Sequence, residues 1–145
     1  MNMYKTGLPY HNHGKTWIAV VHGAKKWFLY PPGYDVPPEV DSYHNPLLPM
    51  SNWINDVYPK LFSYPKPPLV TYDDVMEIII TEYDHKIITT SNLDDISTRR
   101  GYRPLECAQQ SGDILFVPQR WTHMTFNYGD TIAIGGQETL YDEDR

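Results

Sequence analysis

With one cysteine in 145 residues, the chain has no intrachain disulfide, cysteine-rich zinc knuckle or dithiol redox pair. That residue, Cys107, lies in an apparent strand, where a lone thiol acts as a small buried hydrophobe. No apolar run approaches the length of a membrane span, and MNMYKTGLPYHNH lacks the basic-then-apolar order of a secretion leader. There is no Asn-X-Ser/Thr acceptor either, so a cytoplasmic or nuclear location is expected as written. At a formal charge of −6 the chain has no basic face for phosphates. Its adjacent basic pairs, Lys25-Lys26 and Arg99-Arg100, are too isolated for a nucleic-acid footprint, which excludes that class of partner. Serine or cysteine nucleophile motifs and phosphate-binding glycine loops are also missing.

What is plentiful is tyrosine and proline, 12 and 13 residues, while long helical periodicities are scarce, and that combination predicts a mainly β domain with many turns. Trp17–His22 and Lys26–Tyr30 are strand-length apolar runs, and Gly23-Ala24-Lys25 between them predicts a hairpin. Pro31-Pro32-Gly33 ends the second run. Ser51–Phe62 is the one short helix: Ser51 or Asn52 as cap, Trp53, Ile54, Val57 and Leu61 as its apolar stripe, Pro59 as its limit. Ser63–Leu69 is a proline-rich connection, and Val75–Thr90 predicts a second hairpin around Tyr83-Asp84-His85-Lys86. The last third predicts a meander of Leu105–Gln109, Asp113–Val117, Trp121–Asn127 and Thr131–Ile134, with a turn at Tyr128-Gly129-Asp130 and an acidic tail at Glu138–Arg145.

Three histidines carry the chemistry. His11 and His13 are separated by one residue, so in an extended strand both side chains project to one side. In the strand from Trp121, alternation places Trp121, His123 and Thr125 on one face and Thr122, Met124 and Phe126 on the other. His123 can therefore close a three-imidazole facet, a donor set that suits zinc, iron, copper or nickel with open positions left for chemistry. His22, His44 and His85 read as surface residues, and Asp73-Asp74 and Asp94-Asp95 as solvated acids.

The run from PYHNHGKTWIAVVHGAKKWFLYPPG through RPLECAQQSGDILFVPQRWTHMTFNYGDTIAI resembles a JmjC domain, a cupin-type double-stranded β-helix. The family pattern is a His-X-Asp/Glu pair, a strand with Gly-X-Lys-Arg-Trp before an apolar run and proline, and a later Gly-Asp/Glu, Val-Pro and Trp-Trp-His; here these read His11-Asn12-His13, Gly23-Ala24-Lys25-Lys26-Trp27, Gly112-Asp113, Val117-Pro118 and Trp121-Thr122-His123. RPLEC and Asp56-Val57-Tyr58-Pro59 add similarity to the small JmjC-only proteins. The resemblance implies one domain over 1–145, a jelly-roll barrel shortened at its N-terminus with an insertion at about 64–102. Sheet edges left exposed by that shortening would favour homo-oligomers. A protein substrate or partner is also implied, and a longer parent chain with a leader would move the location to the endoplasmic-reticulum lumen.

Residue by residue, the resemblance makes His11, His13 and His123 the metal ligands, with iron(II) as the implied ion and other divalent metals admitted by the imidazoles. Lys25 is the implied cosubstrate anchor, an ammonium for the distal carboxylate of 2-oxoglutarate. Departures qualify the implied oxygenase. His13 stands where the family presents Asp or Glu, so three neutral donors replace two plus an anion. Leu8, Ile18 and Gly135-Gly136-Gln137 replace polar cosubstrate contacts found in relatives, which weakens the case for 2-oxoglutarate. The expectation is a metal-binding, protein-interacting JmjC module with weak or no catalysis, the alternative being an iron(II)/2-oxoglutarate-dependent protein hydroxylase or demethylase.

Overall fold

The computed structural model describes residues 6–41, 50–66 and 101–138. Five strands form one antiparallel sheet: β1 (Gly7–His11), β2 (Thr16–Tyr30), β3 (Leu105–Gln110), β4 (Ile114–Val117) and β5 (Thr122–Gln137). Their order is β1-β5-β2-β3, with β4 also on β2. The predicted hairpin over Val75–Thr90 lies outside the described residues, as do Arg99-Arg100, His44, His85 and the two aspartate pairs.

The hairpin expected at Gly23-Ala24-Lys25 is corrected: β2 is one 15-residue strand that runs through those residues. Likewise the turn expected at Tyr128-Gly129-Asp130 lies inside the 16-residue β5. Both glycines take left-handed backbone, φ 82° at Gly23 and 66° at Gly129, yet they bend their strands rather than reverse them. The register between the two shifts on either side of His22, from Val20↔Ala133 through His22↔Ile132 to Ala24↔Tyr128. Paired bulges of this kind sharpen bend and twist at one place. A side chain at 23 would overlap the Asp130 carbonyl and stand 2.7 Å from Thr131 Oγ1, so the two backbones close on each other there.

Chain connectivity shows how far the sheet bends. Val117 pairs with Thr16 at one end of β2, and Thr122 pairs with Tyr30 at the other. A straight strand of that length would hold its ends about 46 Å apart, whereas the link from 117 to 122 spans at most about 18 Å. The β2/β5 ribbon therefore folds over at Gly23 and Gly129 into the two layers of a cupin barrel. The expected meander is also corrected. β3 and β4 follow one another along the same edge of β2, while β5 takes its opposite edge.

The sheet has two apolar faces. On one, Tyr10, Phe28, Tyr30, Met124 and Phe126 pack with Val40, Trp53 and Leu61. On the other, Trp27, Leu29 and Val117 pack with Ile18, Leu105, Cys107, Leu115 and Trp121. Each such side chain contributes roughly 1.5–3 kcal/mol when withdrawn from water.

The helix expected at Ser51–Phe62 is present as an irregular helical segment: α1 (Met50–Asn52), a π turn (Trp53–Val57) and a 3-10 turn (Tyr58–Ser63). Pro59 tightens the last turn, as its missing N–H requires. The expected Ser51 or Asn52 cap is not realised: both residues lie within the helical segment, and Asn52 makes no side-chain capping bond. Anchoring comes from Trp53, whose indole N–H donates to the Val40 carbonyl at 2.8 Å. Trp17, Ile114, Phe116, Ile132 and Ile134 are exposed. Phe116 pairs with Trp17, and both Ile114 and Ile134 with Ala19. No helix among the described residues is long and apolar enough to cross a membrane.

Candidate metal centre

The three histidines meet at one end of the β1/β5/β2 layer. His11 closes β1 and is the ladder partner of His123 on β5, which faces Leu29 of β2 on its other side. His13 lies two residues past the end of β1, so strand alternation alone does not place it. The turn does: Arg120 N–H donates to the His13 carbonyl at 3.0 Å, and Glu138 N–H to the Lys15 carbonyl at 2.8 Å. Gly14 between them is pressed against the Glu138 backbone, where any side chain would overlap the carbonyl. Ring centroids are 4.4 Å apart for His11–His123, 4.8 Å for His13–His123 and 5.3 Å for His11–His13.

Each ring has its orientation set by backbone. His11 Nδ1 lies 2.7 Å from the Pro9 carbonyl oxygen, His13 Nδ1 2.8 Å from that of Gly14, and His123 Nδ1 2.8 Å from that of Trp121. A carbonyl only accepts, so each Nδ1 carries the proton and each Nε2 keeps a free lone pair. One ligand nitrogen from each ring lies within 4.8 Å of the others. A metal with ligand bonds of about 2.0–2.1 Å sets its nitrogens roughly 3–3.5 Å apart, so the three rings must draw closer to hold one. Burial pushes the His123 imidazolium down to about 4, the neighbouring His11 and His13 act in the same direction, and the Trp121 carbonyl opposes them. His123 is therefore neutral near pH 7, the form a metal requires.

Behind His123 stands Trp27, its ring 5.8 Å away. The indole N–H donates to Gln109 Oε1 at 2.9 Å, and Gln109 Nε2 donates to the carbonyls of Ile18 at 2.7 Å and Asp113 at 3.1 Å. Gln109 is buried with every polar atom engaged, and thereby ties β2, β3 and the turn before β4 to the wall of the site. Sequence reasoning missed Gln109, although the alternation that turns Leu105 and Cys107 to this face extends to it and is the signal that could have found it.

Lys25 sits farther along the same face, between Gln109 and Asn127. Its ammonium donates to Asn127 Oδ1 at 2.9 Å, and no carboxylate pairs with it among the described residues. Burial lowers its pKa. Asn127 is four residues beyond His123, a strand distance of about 13 Å. The alternation that turns His123 and Thr125 inward extends to Asn127 and is the signal that could have found it. Thr125 Oγ1 is buried between them without a hydrogen-bond partner among the described residues.

Positions 8, 18, 135 and 136, where the resemblance implies cosubstrate contacts, carry Leu, Ile, Gly and Gly here. Ile18 and Gly135 are ladder partners, and the Ile18 Cδ1 stands 2.6 Å from where a side chain at 135 would begin. Gly136 is closed by the Trp17 indole nitrogen, also 2.6 Å from its would-be Cβ. Leu8 is exposed.

A family profile described as JmjC domain, hydroxylase matches residues 79–137, a stretch that includes His123 and begins inside the segment expected to be an insertion. The human "JmjC domain-containing protein 8" is 30% identical over 129 residues, 89% of this chain and 33% of its own length. The chain is similar to JmjC-domain proteins. Among JmjC relatives, the chicken "2-oxoglutarate and iron-dependent oxygenase JMJD4" is 27% identical over 82% of this chain and 20% of that protein. The Arabidopsis thaliana "Arginine-specific demethylase JMJ22" is 27% identical over 85% of the chain and 18% of its own length. The chain thus spans a third or less of the relatives it matches.

Proposed function

We propose that this JmjC domain is a metal-binding, protein-interacting module in which oxygenase chemistry is weak or lost. The observation that carries this reading is the triad: three imidazoles oriented by backbone carbonyls, with no acid among the described residues joining them. The donor set fits a divalent transition metal, held by His11, His13 and His123 through Nε2. When bound, such an ion supplies a Lewis-acidic centre with open positions. Against turnover stands the Ile18–Gly135 contact, where the Ile18 Cδ1 occupies the space beside residue 135 in which the resemblance implies a polar cosubstrate contact. The exposed Trp17, Phe116 and Ile134 agree with the interaction half of the proposal.

The second reading is an iron(II)/2-oxoglutarate-dependent protein hydroxylase or demethylase. Lys25 favours it, as an ammonium without an acidic partner on the face that bears the triad. The names of the chicken and Arabidopsis relatives point the same way.

Two assays on the full chain separate the readings. Metal retention after equilibrium dialysis is expected at one ion per chain and to vanish in His123→Ala. Succinate formation from 2-oxoglutarate with iron(II) is expected at background. Turnover that is lost in both His123→Ala and Lys25→Met would establish the oxygenase instead.

A further inference from the structure

The same centre carries a statement about which metal it holds, and that statement rests on the proposed metal-binding function. We infer that His13 is the metal-selectivity residue, presenting a neutral nitrogen at the family's carboxylate position and so tuning the centre toward zinc(II) and against iron(II).

Three observations support this. The backbone around residue 13 is built for a side chain that donates. His13 Nδ1 lies 2.8 Å from the carbonyl of Gly14, which is itself packed against Glu138. The turn is tied at the His13 and Lys15 carbonyls by Arg120 and Glu138 N–H groups, so it cannot readily swing that acceptor away. A carboxylate at 13 would set acceptor against acceptor. Second, His11, His13 and His123 are the only histidine, cysteine, aspartate or glutamate side chains that converge as a ligand set among the described residues, so no oxygen donor substitutes for the missing acid. Third, imidazole coordinates as a neutral donor, so three of them leave a bound divalent ion its full double charge. Imidazole is a borderline donor that favours zinc and copper, whereas an anionic oxygen adds more to the harder iron(II). A tri-imidazole facet with open positions is an established zinc arrangement.

Zinc outranks iron(II) at most nitrogen and oxygen sites, so the diagnostic quantity is the change in preference when residue 13 changes. The test is a chelator-competition titration of the metal-free full chain with zinc(II) and, under anaerobic conditions, with iron(II). The wild type is compared with His13→Asp. The expected result is a zinc-to-iron affinity ratio at least about tenfold higher in the wild type. An unchanged ratio overturns the inference. Should His13→Asp fail to fold by circular dichroism, His13→Ala takes its place, with zinc affinity expected to fall further than iron affinity. Equal losses would overturn the inference. Pulsed EPR of the copper(II)-loaded protein adds a direct count, three coordinated imidazoles in the wild type and two in His13→Ala. Three in both means that His13 is not a ligand. Wild-type protein that binds neither ion defeats the metal-binding function itself, a result distinct from binding both with no effect of residue 13.

Discussion

His11 and His123 are direct ladder partners across β1 and β5, their ring centroids 4.4 Å apart, while both Nδ1 atoms are engaged by backbone carbonyls two residues upstream. Two imidazoles so close, turned the same way by the same device, present paired Nε2 lone pairs. If that pair is a ligand pair, metal binding must stabilise the fold. Saturating zinc at about 100 times its Kd is expected to add about 2.7 kcal/mol, read as a shift of the thermal midpoint. The shift should be absent in His11→Ala.

The buried His123 also predicts how the metal-free fold responds to acid. Its pKa is lowered from 6.5 in the unfolded chain to about 4, chiefly by burial, so between those values the unfolded state binds the extra proton. Stability is therefore full above about pH 6.5 and falls as the pH drops toward 4. Urea midpoints of metal-free wild type and His123→Phe across that window provide the check. The slope contributed by this group should be missing in the variant.

Gly23 provides a test of the bent ribbon. Alanine there would need a left-handed backbone and would overlap the Asp130 carbonyl. Gly23→Ala is expected to cost about 1–3 kcal/mol, measurable by chemical denaturation. At Gly112, also at positive φ but with nothing within 4 Å of its would-be side chain, alanine should cost less.

These glycines also show why part of the fold was legible in the sequence and part was not. The alternation around His123 depends only on strand geometry, so it correctly separated Met124 and Phe126 on one apolar face from Trp121 on the other. Gly23-Ala24-Lys25 and Tyr128-Gly129-Asp130, by contrast, are locally compatible with either a reversal or a bulge, because both use positive φ at glycine. The choice is made by long-range pairing: β2 and β5 stay paired from Thr16↔Gln137 to Tyr30↔Thr122, through the register shifts around His22. No local pattern contains that information. His13 shows the same limit at the site. Its type and spacing were visible, but its position comes from Arg120, which is distant in sequence.

Gln109 is expected to support the wall behind the triad. Gln109→Leu would strip the partner from the Trp27 indole N–H and two bonds from the carbonyls of Ile18 and Asp113. The buried Trp27 N–H left unpaired costs about 1–3 kcal/mol, whereas the Asp113 carbonyl keeps the Val20 N–H. The loss should be visible as a lower denaturation midpoint and altered Trp27 fluorescence, whereas Gln110→Leu at the exposed neighbouring position should change little.

The central claim, that His11, His13 and His123 form one metal centre, is tested most directly by X-ray absorption on the zinc-loaded full chain. The account predicts one zinc per chain with three nitrogen scatterers of imidazole type at about 2.0–2.1 Å, reduced to two in His123→Ala with any residual metal. A zinc shell that is unchanged by removal of His123, or a wild-type chain that retains no metal, would contradict it.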